Sequence, residues 1–168
     1  MDKIKVIFLD FDGVLNNDGF LDFCVENGVA PDDRIDGKAV KRLNQIVADT
    51  GAKIVVSSAL RIPFVMSNDL DALIDLMRGH GVKGDIIGMT PDLWNMKRDR
   101  CRGDEIQQWM DDSPFIIDKF VILDDNSDMG HLRFWLIQTD FKHGLQMSHV
   151  LDAIDVLNVG ANPKTVSL

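Results

Sequence analysis

Five short apolar runs, separated by segments with helical periodicity, constrain the fold of this chain more than any other feature. The runs begin at Ile4, Lys53, Ile86, Phe120 and Phe134, and none is longer than six residues. Runs that are apolar on both faces are typical of strands buried inside a parallel sheet. The chain therefore contains the strands of a sheet that is covered on both sides.

Amphipathic segments between and after these runs supply the covering helices. Each shows apolar residues at helical spacing: Val40, Leu43 and Val47; Leu70, Leu73, Ile74 and Met77; Ile106, Trp109 and Met110; Val150, Ile154 and Leu157. The alternation predicts an α/β fold, a Rossmann-like three-layer αβα arrangement with a mostly parallel central sheet. Functional residues of such folds gather at the carboxyl ends of the strands.

Length and composition are those of one soluble domain. The chain has 168 residues and 45% hydrophobic content, which excludes general disorder. We predict a single domain over residues 1–158 and a C-terminal tail over 159–168. Two cysteines, with no apolar stretch of membrane or secretory length, predict a cytoplasmic protein that does not contact membranes. The net charge of −9 argues against broad, non-specific nucleic-acid binding.

Acidic residues follow two of the predicted strands. The first strand ends in Asp10-Phe11-Asp12-Gly13, and the fourth ends in Asp124-Asp125-Asn126-Ser127-Asp128. Either motif alone could be a polar turn or a helix cap. If the two strands are neighbours, however, four or five carboxylates converge at one place, and like charges so close together require a cation. Hard oxygen ligands in this arrangement favour Mg²⁺.

Two further segments have the chemistry of a phosphate site. Ser57 and Ser58 end the second strand, where a hydroxyl and free backbone N–H groups can bind phosphate oxygens, and Arg61 follows them. Four basic residues precede the third amphipathic segment: Lys97, Arg98, Arg100 and Arg102. Most of that run is expected to be solvated, but Arg102 lies at the start of a helix and can offset the pooled negative charge.

These motifs, in this order over residues 6–128, resemble the four motifs of the haloacid dehalogenase-like superfamily of phosphohydrolases. Further segments are similar to the haloacid dehalogenase domain of Swiss-army-knife RNA repair proteins. They are Thr50-Gly51-Ala52-Lys53, Ser57-Ser58, Ile87-Gly88-Met89-Thr90-Pro91, Arg102-Gly103-Asp104-Glu105-Ile106, and Thr139-Asp140 with Gly144-Leu145. The resemblance implies a Mg²⁺-dependent phosphatase that acts on phosphate monoesters.

The resemblance also implies roles for the catalytic residues. Asp10 is expected to be the nucleophile that forms an aspartyl-phosphate. Asp12 is expected to protonate the leaving group and then to activate water. Ser57 is expected to hold the phosphoryl oxygens, and Arg102 takes the place of the usual cation, although Arg98 or Arg100 could fill it instead.

Metal and substrate contacts follow from the same resemblance. Mg²⁺ is expected on Asp10, on the main-chain carbonyl of Asp12 and on an acid of the last motif, with Asp124 the first choice and Asp125 the second. Asp128 is expected to support the water shell of the metal. The remaining substrate contacts are assigned to Gly13, Ser58 and Arg61.

Short insertions near residues 16–35 and 88–102 provide only a minimal cap. An open site suits a large substrate, such as a nucleic-acid end or a protein. Alternatively, a partner in a homo-oligomer closes the site.

Two features bear on the substrate class. Trp94 could stack on a base, but Ser58-Ala59-Leu60-Arg61 lacks the aromatic residue expected before the Arg in RNA repair relatives. Nucleotides or polynucleotide ends are the preferred substrates. The alternative is a phosphoacceptor or metal-binding signalling module without turnover.

Overall fold

A sheet of five parallel strands forms the centre of the protein. The computed structural model describes residues 3–30, 34–93 and 101–160, and all statements on its elements concern these residues. The strands are Lys3–Leu9 (β1), Lys53–Val56 (β2), Ile86–Met89 (β3), Ile116–Asp124 (β4) and Leu136–Gln138 (β5). Their order in the sheet is β3-β2-β1-β4-β5, so β1 lies in the middle, between the strands that carry the serine and acidic motifs.

Six α-helices lie within the described residues. They are Asp18–Glu26 (α1), Gly37–Thr50 (α2), Ile62–Ser67 (α3), Leu70–Gly79 (α4), Arg102–Asp112 (α5) and Met147–Val159 (α6). There are also two 3₁₀ helices. The first, Ala59–Arg61, follows β2, and the second, Gly130–Trp135, precedes β5. None of the described helices is both long enough and apolar enough to span a membrane.

Alternating side chains of β1 divide the core into two layers. Ile7 and Leu9 pack with α2, α4 and α6, whereas Val6 and Phe8 pack with α5 and the second 3₁₀ helix. This alternation follows from the two-residue period of a strand and buries both faces of the sheet. The predicted Rossmann-like three-layer α/β fold is confirmed.

Strand register places the functional motifs at one edge of the sheet. Leu9 is level with Val56 on β2 and with Leu123 on β4. The residues that follow, Asp10, Ser57 and Asp124, therefore reach the same edge. Tight registration is expected here because all of these strand ends are fully buried.

The predicted fifth strand is partly wrong. Phe134 and Trp135 belong to a 3₁₀ helix, with 43% and 38% of their surfaces exposed, and β5 begins only at Leu136. The ring of Trp135 stacks on Phe120 with centroids 5.1 Å apart. The apolar run thus consists of a covering turn followed by a short strand, and an apolar run alone cannot separate the two.

The predicted cap insertions and C-terminal tail stay predictions. Helix α1 takes up nine residues of the first insertion. Residues 31–33 of the first insertion and 94–100 of the second lie outside the described residues. Helix α6 extends to Val159, one residue into the predicted tail, and ends at Gly160 in the left-handed conformation. The assignment of a single domain over 1–158 stays a prediction.

Candidate active site

Asp10 and Asp12 follow β1 in different environments. Asp10 is only 4% exposed, and its Oδ1 accepts a 2.8 Å hydrogen bond from the backbone N–H of Phe11. Asp12 is exposed, and its Oδ1 accepts a 3.0 Å hydrogen bond from the side-chain amide of Asn16. One carboxylate is thus held rigidly within the strand end while the other faces solvent. This difference suits a nucleophile and an acid–base group.

Gly13 allows the first motif to pack against the last. Its φ of +71° is a left-handed conformation that favours glycine. A Cβ at this position would lie 2.6 Å from the Cβ and Cγ atoms of Asp125. Its N–H donates to Oδ1 of Asn16 at 3.1 Å. Gly13 therefore has a clear packing role, while its contact with substrate stays a prediction.

Three carboxylates converge beyond β1 and β4. Within the described chain, ligand oxygens of Asp10, Asp124 and Asp125 lie within 4.8 Å of one another. Asp124 is fully buried, and its Oδ2 accepts no hydrogen bond but lies 3.1 Å from Nη1 of Arg102. Burial, followed by the charge of Asp10, raises the pKa of Asp124 to about 7 and also raises the pKa of Asp125. A group of carboxylate oxygens of this kind fits a hard divalent cation such as Mg²⁺.

The side chains of Asp12 and Asp128 do not belong to this group of three. Asp128 is exposed; its N–H donates to Oδ1 of Asn126, and its carbonyl accepts a hydrogen bond from Gly103. Asp124 and Asp125 both belong to the group, and the expected preference for Asp124 over Asp125 stays a prediction. The expected roles of the Asp12 carbonyl and of Asp128 stay predictions.

Arg102 joins the nucleophile to the buried acid of β4. Its Nη1 lies 3.1 Å from Oδ1 of Asp10 and 3.1 Å from Oδ2 of Asp124, and it donates to the carbonyl of Ser57 at 3.0 Å. Burial alone would lower the pKa of Arg102, but the two carboxylates together raise it. Arg102 is thus a fixed positive charge at the predicted place. Arg98 and Arg100, the alternatives, lie outside the described residues.

A glycine lets the start of α5 approach the loop after β4. A Cβ on Gly103 would lie 2.1 Å from the carbonyl oxygen of Met129. The first turn is fixed by a capping interaction in which the Cys101 N–H donates to Oδ2 of Asp104 at 3.0 Å. This close backbone packing positions Arg102 beside the carboxylates, and a side chain at residue 103 would prevent it.

Buried polar atoms without a hydrogen-bond partner mark the carboxyl edge of the sheet. In the described part of the chain they are Ser57 Oγ, Thr90 Oγ1, Asp124 Oδ2 and Thr139 Oγ1, of which Asp124 Oδ2 has an ionic partner in Arg102. These residues end or directly follow β2, β3, β4 and β5 respectively. Because an unpaired buried polar atom is costly, such a row indicates a binding edge. Thr90 and Thr139 were given no role from sequence, although their position after apolar runs was the available signal.

Ser58 and Arg61 are placed as structural residues. Ser58 is buried and caps the first 3₁₀ helix, accepting a hydrogen bond from the Leu60 N–H. The Arg61 guanidinium is buried and donates to five acceptors: the carbonyls of Ser57, Ser58, Thr90 and Pro91, and the Glu105 carboxylate. All five of its N–H groups are thereby used.

The expected substrate contacts of Ser58 and Arg61 stay predictions, and in this structure the N–H groups of Arg61 are used within the protein. Burial lowers the pKa of its guanidinium, and the carboxylate of Glu105 opposes that shift. The sequence places Arg61 close to Ser57, but it does not show that acceptors from the segment after β3 and from α5 surround this side chain. Trp94 lies outside the described residues, so its expected contact with a base stays a prediction.

The chain matches a family model described as the HAD domain in Swiss Army Knife RNA repair proteins, over residues 6–150. The chain belongs to this family. HAD denotes the haloacid dehalogenase type, so the expected resemblance is confirmed and the chain is a HAD-type phosphohydrolase domain. The matched segment includes every site residue discussed above. A search of curated proteins found no match.

Proposed function

We propose that this protein is a Mg²⁺-dependent phosphomonoesterase that uses Asp10 as its nucleophile and acts on nucleotides or polynucleotide ends. One observation carries the proposal: the oxygens of Asp10, Asp124 and Asp125 converge while the guanidinium of Arg102 bridges two of them. This arrangement supports a mechanism that needs a nucleophile, a cation-binding group and a fixed positive charge around one phosphoryl position.

Asp10, Asp124 and Asp125 would hold Mg²⁺, with the Asp12 carbonyl as the further ligand that the family resemblance implies. When bound, the ion supplies charge neutralisation for an anionic substrate facing an anionic nucleophile. Arg102 supplies the second positive charge from its fixed place beside Asp10. Ser57, whose buried hydroxyl has no partner, is available to donate to a phosphoryl oxygen.

The first chemical step forms a bond between a carboxylate oxygen of Asp10 and phosphorus. The bond from phosphorus to the leaving oxygen breaks, and Asp12, in its protonated form, transfers its proton to that oxygen. The Asn16 amide at 3.0 Å orients the Asp12 carboxylate for this transfer. An alcohol leaves, and the phosphoryl group remains on Asp10.

The second step reverses the role of Asp12. Its carboxylate, now deprotonated, takes a proton from water, and the water oxygen attacks phosphorus. The bond to Asp10 breaks, which releases inorganic phosphate and regenerates the free carboxylate. The exposure of Asp12 gives water direct access to this group.

Nucleic-acid ends are the preferred substrate class because the matched family is described by its occurrence in RNA repair proteins. The test is a phosphate-release screen across mononucleotides, end-phosphorylated oligonucleotides, phosphopeptides and sugar phosphates, with Mg²⁺ and with a chelator. We expect release that requires Mg²⁺ and is lost in Asp10→Asn, while Asp155→Asn, at an exposed position on α6, remains active. Stable labelling of the protein without phosphate release would favour a phosphoacceptor module instead.

A further inference from the structure

A pocket of about 360 Å³ opens beside Asp12. Its walls include three leucines from three separate elements: Leu21 from α1, Leu60 from the first 3₁₀ helix and Leu76 from α4. None of them is fully buried, and Leu60 is 40% exposed. Apolar side chains from distant elements that converge on an open cavity are typical of a ligand site.

The proposed chemistry decides which part of the substrate enters this pocket. A general acid must reach the oxygen that it protonates, so the leaving group has to lie on the side of Asp12. The pocket beside Arg102, also about 360 Å³, does not include Asp12 among its lining residues. The leucine-lined pocket is therefore the one that faces the leaving group.

The polar side chains of this pocket limit the kind of leaving group that fits. The amide of Asn16 is engaged at both ends, since Oδ1 accepts from Gly13 and Nδ2 donates to Asp12. Arg34 and His80 supply the remaining polar groups of the lining. A polyol would leave several hydroxyls against leucine, which is unfavourable, whereas a planar heteroaromatic ring offers apolar faces and a hydrogen-bonding edge.

We propose that this pocket binds the nucleobase of the leaving nucleoside, with Leu21, Leu60 and Leu76 against the ring and Arg34 and His80 at its polar edge. The proposal rests on the phosphatase function proposed above and specifies its substrate. It makes the base a determinant of specificity. A phosphate ester without a base is then a poorer substrate than a nucleotide.

The test compares kcat/KM for adenosine monophosphate and for ribose phosphate, which differ by the base. We expect the wild-type protein to prefer the nucleotide by about tenfold or more, in the range that apolar contacts give. Leu60→Ser and Leu21→Ser, made separately on two elements, should each reduce that ratio several-fold. Leu151→Ser, at an exposed leucine of α6, should leave the ratio unchanged.

Two results would contradict the proposal, and they are distinguishable. Equal kcat/KM for the two substrates, or a ratio that neither leucine variant changes, would overturn the base pocket while the phosphatase stands. Failure of the wild-type protein to release phosphate from any ester with Mg²⁺ would overturn the proposed function and the pocket together.

Discussion

Nη2 of Arg61 donates to Oε2 of Glu105 at 2.5 Å, and this buried ion pair links the loop after β2 to helix α5. The two side chains are 3% and 13% exposed. Oε1 of Glu105 accepts from the N–H of Leu93 at 3.1 Å, which adds the segment after β3. The pair thus connects three segments of the catalytic edge, including the helix that begins with Arg102.

Removal of the charge on Glu105 is expected to destabilise the fold. Glu105→Gln leaves Arg61 buried without its counter-ion, and loss of one partner of a buried pair costs about 3 kcal/mol. The chain has only one other glutamate, Glu26, which is exposed on α1. Glu26→Gln is therefore the matched control and should change the free energy of unfolding by less than about 0.5 kcal/mol. Urea unfolding measures both, and equal small effects would show that the pair does not stabilise this edge.

Arg102 is expected to contribute to catalysis through its charge beside Asp10. Arg102→Met removes the only described cation that lies 3.1 Å from both Asp10 and Asp124, and kcat/KM should fall about a hundredfold or more. Arg102→Lys should recover part of the loss, because a lysine restores charge but not the bridging geometry. Arg133→Met, at an exposed position, serves as the control. Full activity in Arg102→Met would remove this residue from the mechanism.

Alanine substitutions at two glycines distinguish the effect of a steric clash from the effect of backbone strain. Gly13 and Gly28 have similar positive φ values of 71° and 66°, so alanine is strained at both. A Cβ on Gly13 meets Asp125 at 2.6 Å, whereas a Cβ on Gly28 meets nothing within 4 Å. Gly13→Ala should therefore abolish phosphatase activity and weaken Mg²⁺ binding, while Gly28→Ala should affect stability alone. Calorimetric Mg²⁺ titration and phosphate release check this; equal behaviour of the two variants would contradict it.

Stabilisation by Mg²⁺ is expected to increase with pH. Asp124 has an ordinary pKa of 3.8, and its folded-state pKa is about 7, so the metal-free native state binds the proton more tightly than the unfolded state does. Its contribution to stability is complete below about pH 4 and is lost as pH rises towards 7. Mg²⁺ competes with that proton, so its effect should grow across the same range.

Thermal unfolding with and without Mg²⁺ measures this competition. The increase in Tm should be larger at about pH 8 than at about pH 6, and Asp124→Asn should remove most of it. Asp118→Asn, at an exposed carboxylate of β4, should keep it. An increase in Tm that is independent of pH, or that survives in Asp124→Asn, would place the cation elsewhere.

The main features of the fold and site could be predicted because they depend on position along the chain. Apolar runs fix the strands, and carboxylates after β1 and β4 reach one edge once those strands are neighbours. Asp10, Asp124 and Asp125 were identified in this way, as was Arg102 at the start of α5. The order of residues along the chain is therefore sufficient to predict those parts of the site that lie at strand ends and at the start of a helix.

The remainder depends on contacts between distant segments. Arg61 follows Ser57 closely in sequence, yet its hydrogen bonds go partly to Thr90, Pro91 and Glu105, so its structural role is set by the tertiary fold. The leucine-lined pocket likewise joins three elements that share no sequence pattern. Phe134 and Trp135 have strand-like composition but cover the sheet instead of joining it.

The most direct test of the account is to identify the residue that carries the phosphoryl group during turnover. Rapid acid quenching with radiolabelled acetyl phosphate and Mg²⁺, followed by peptide mapping, should locate a hydroxylamine-sensitive label on Asp10. The label should persist longer in Asp12→Asn, in which hydrolysis lacks its base, and should be absent from Asp10→Asn. A label on another residue, or full phosphate release by Asp10→Asn, would contradict the account.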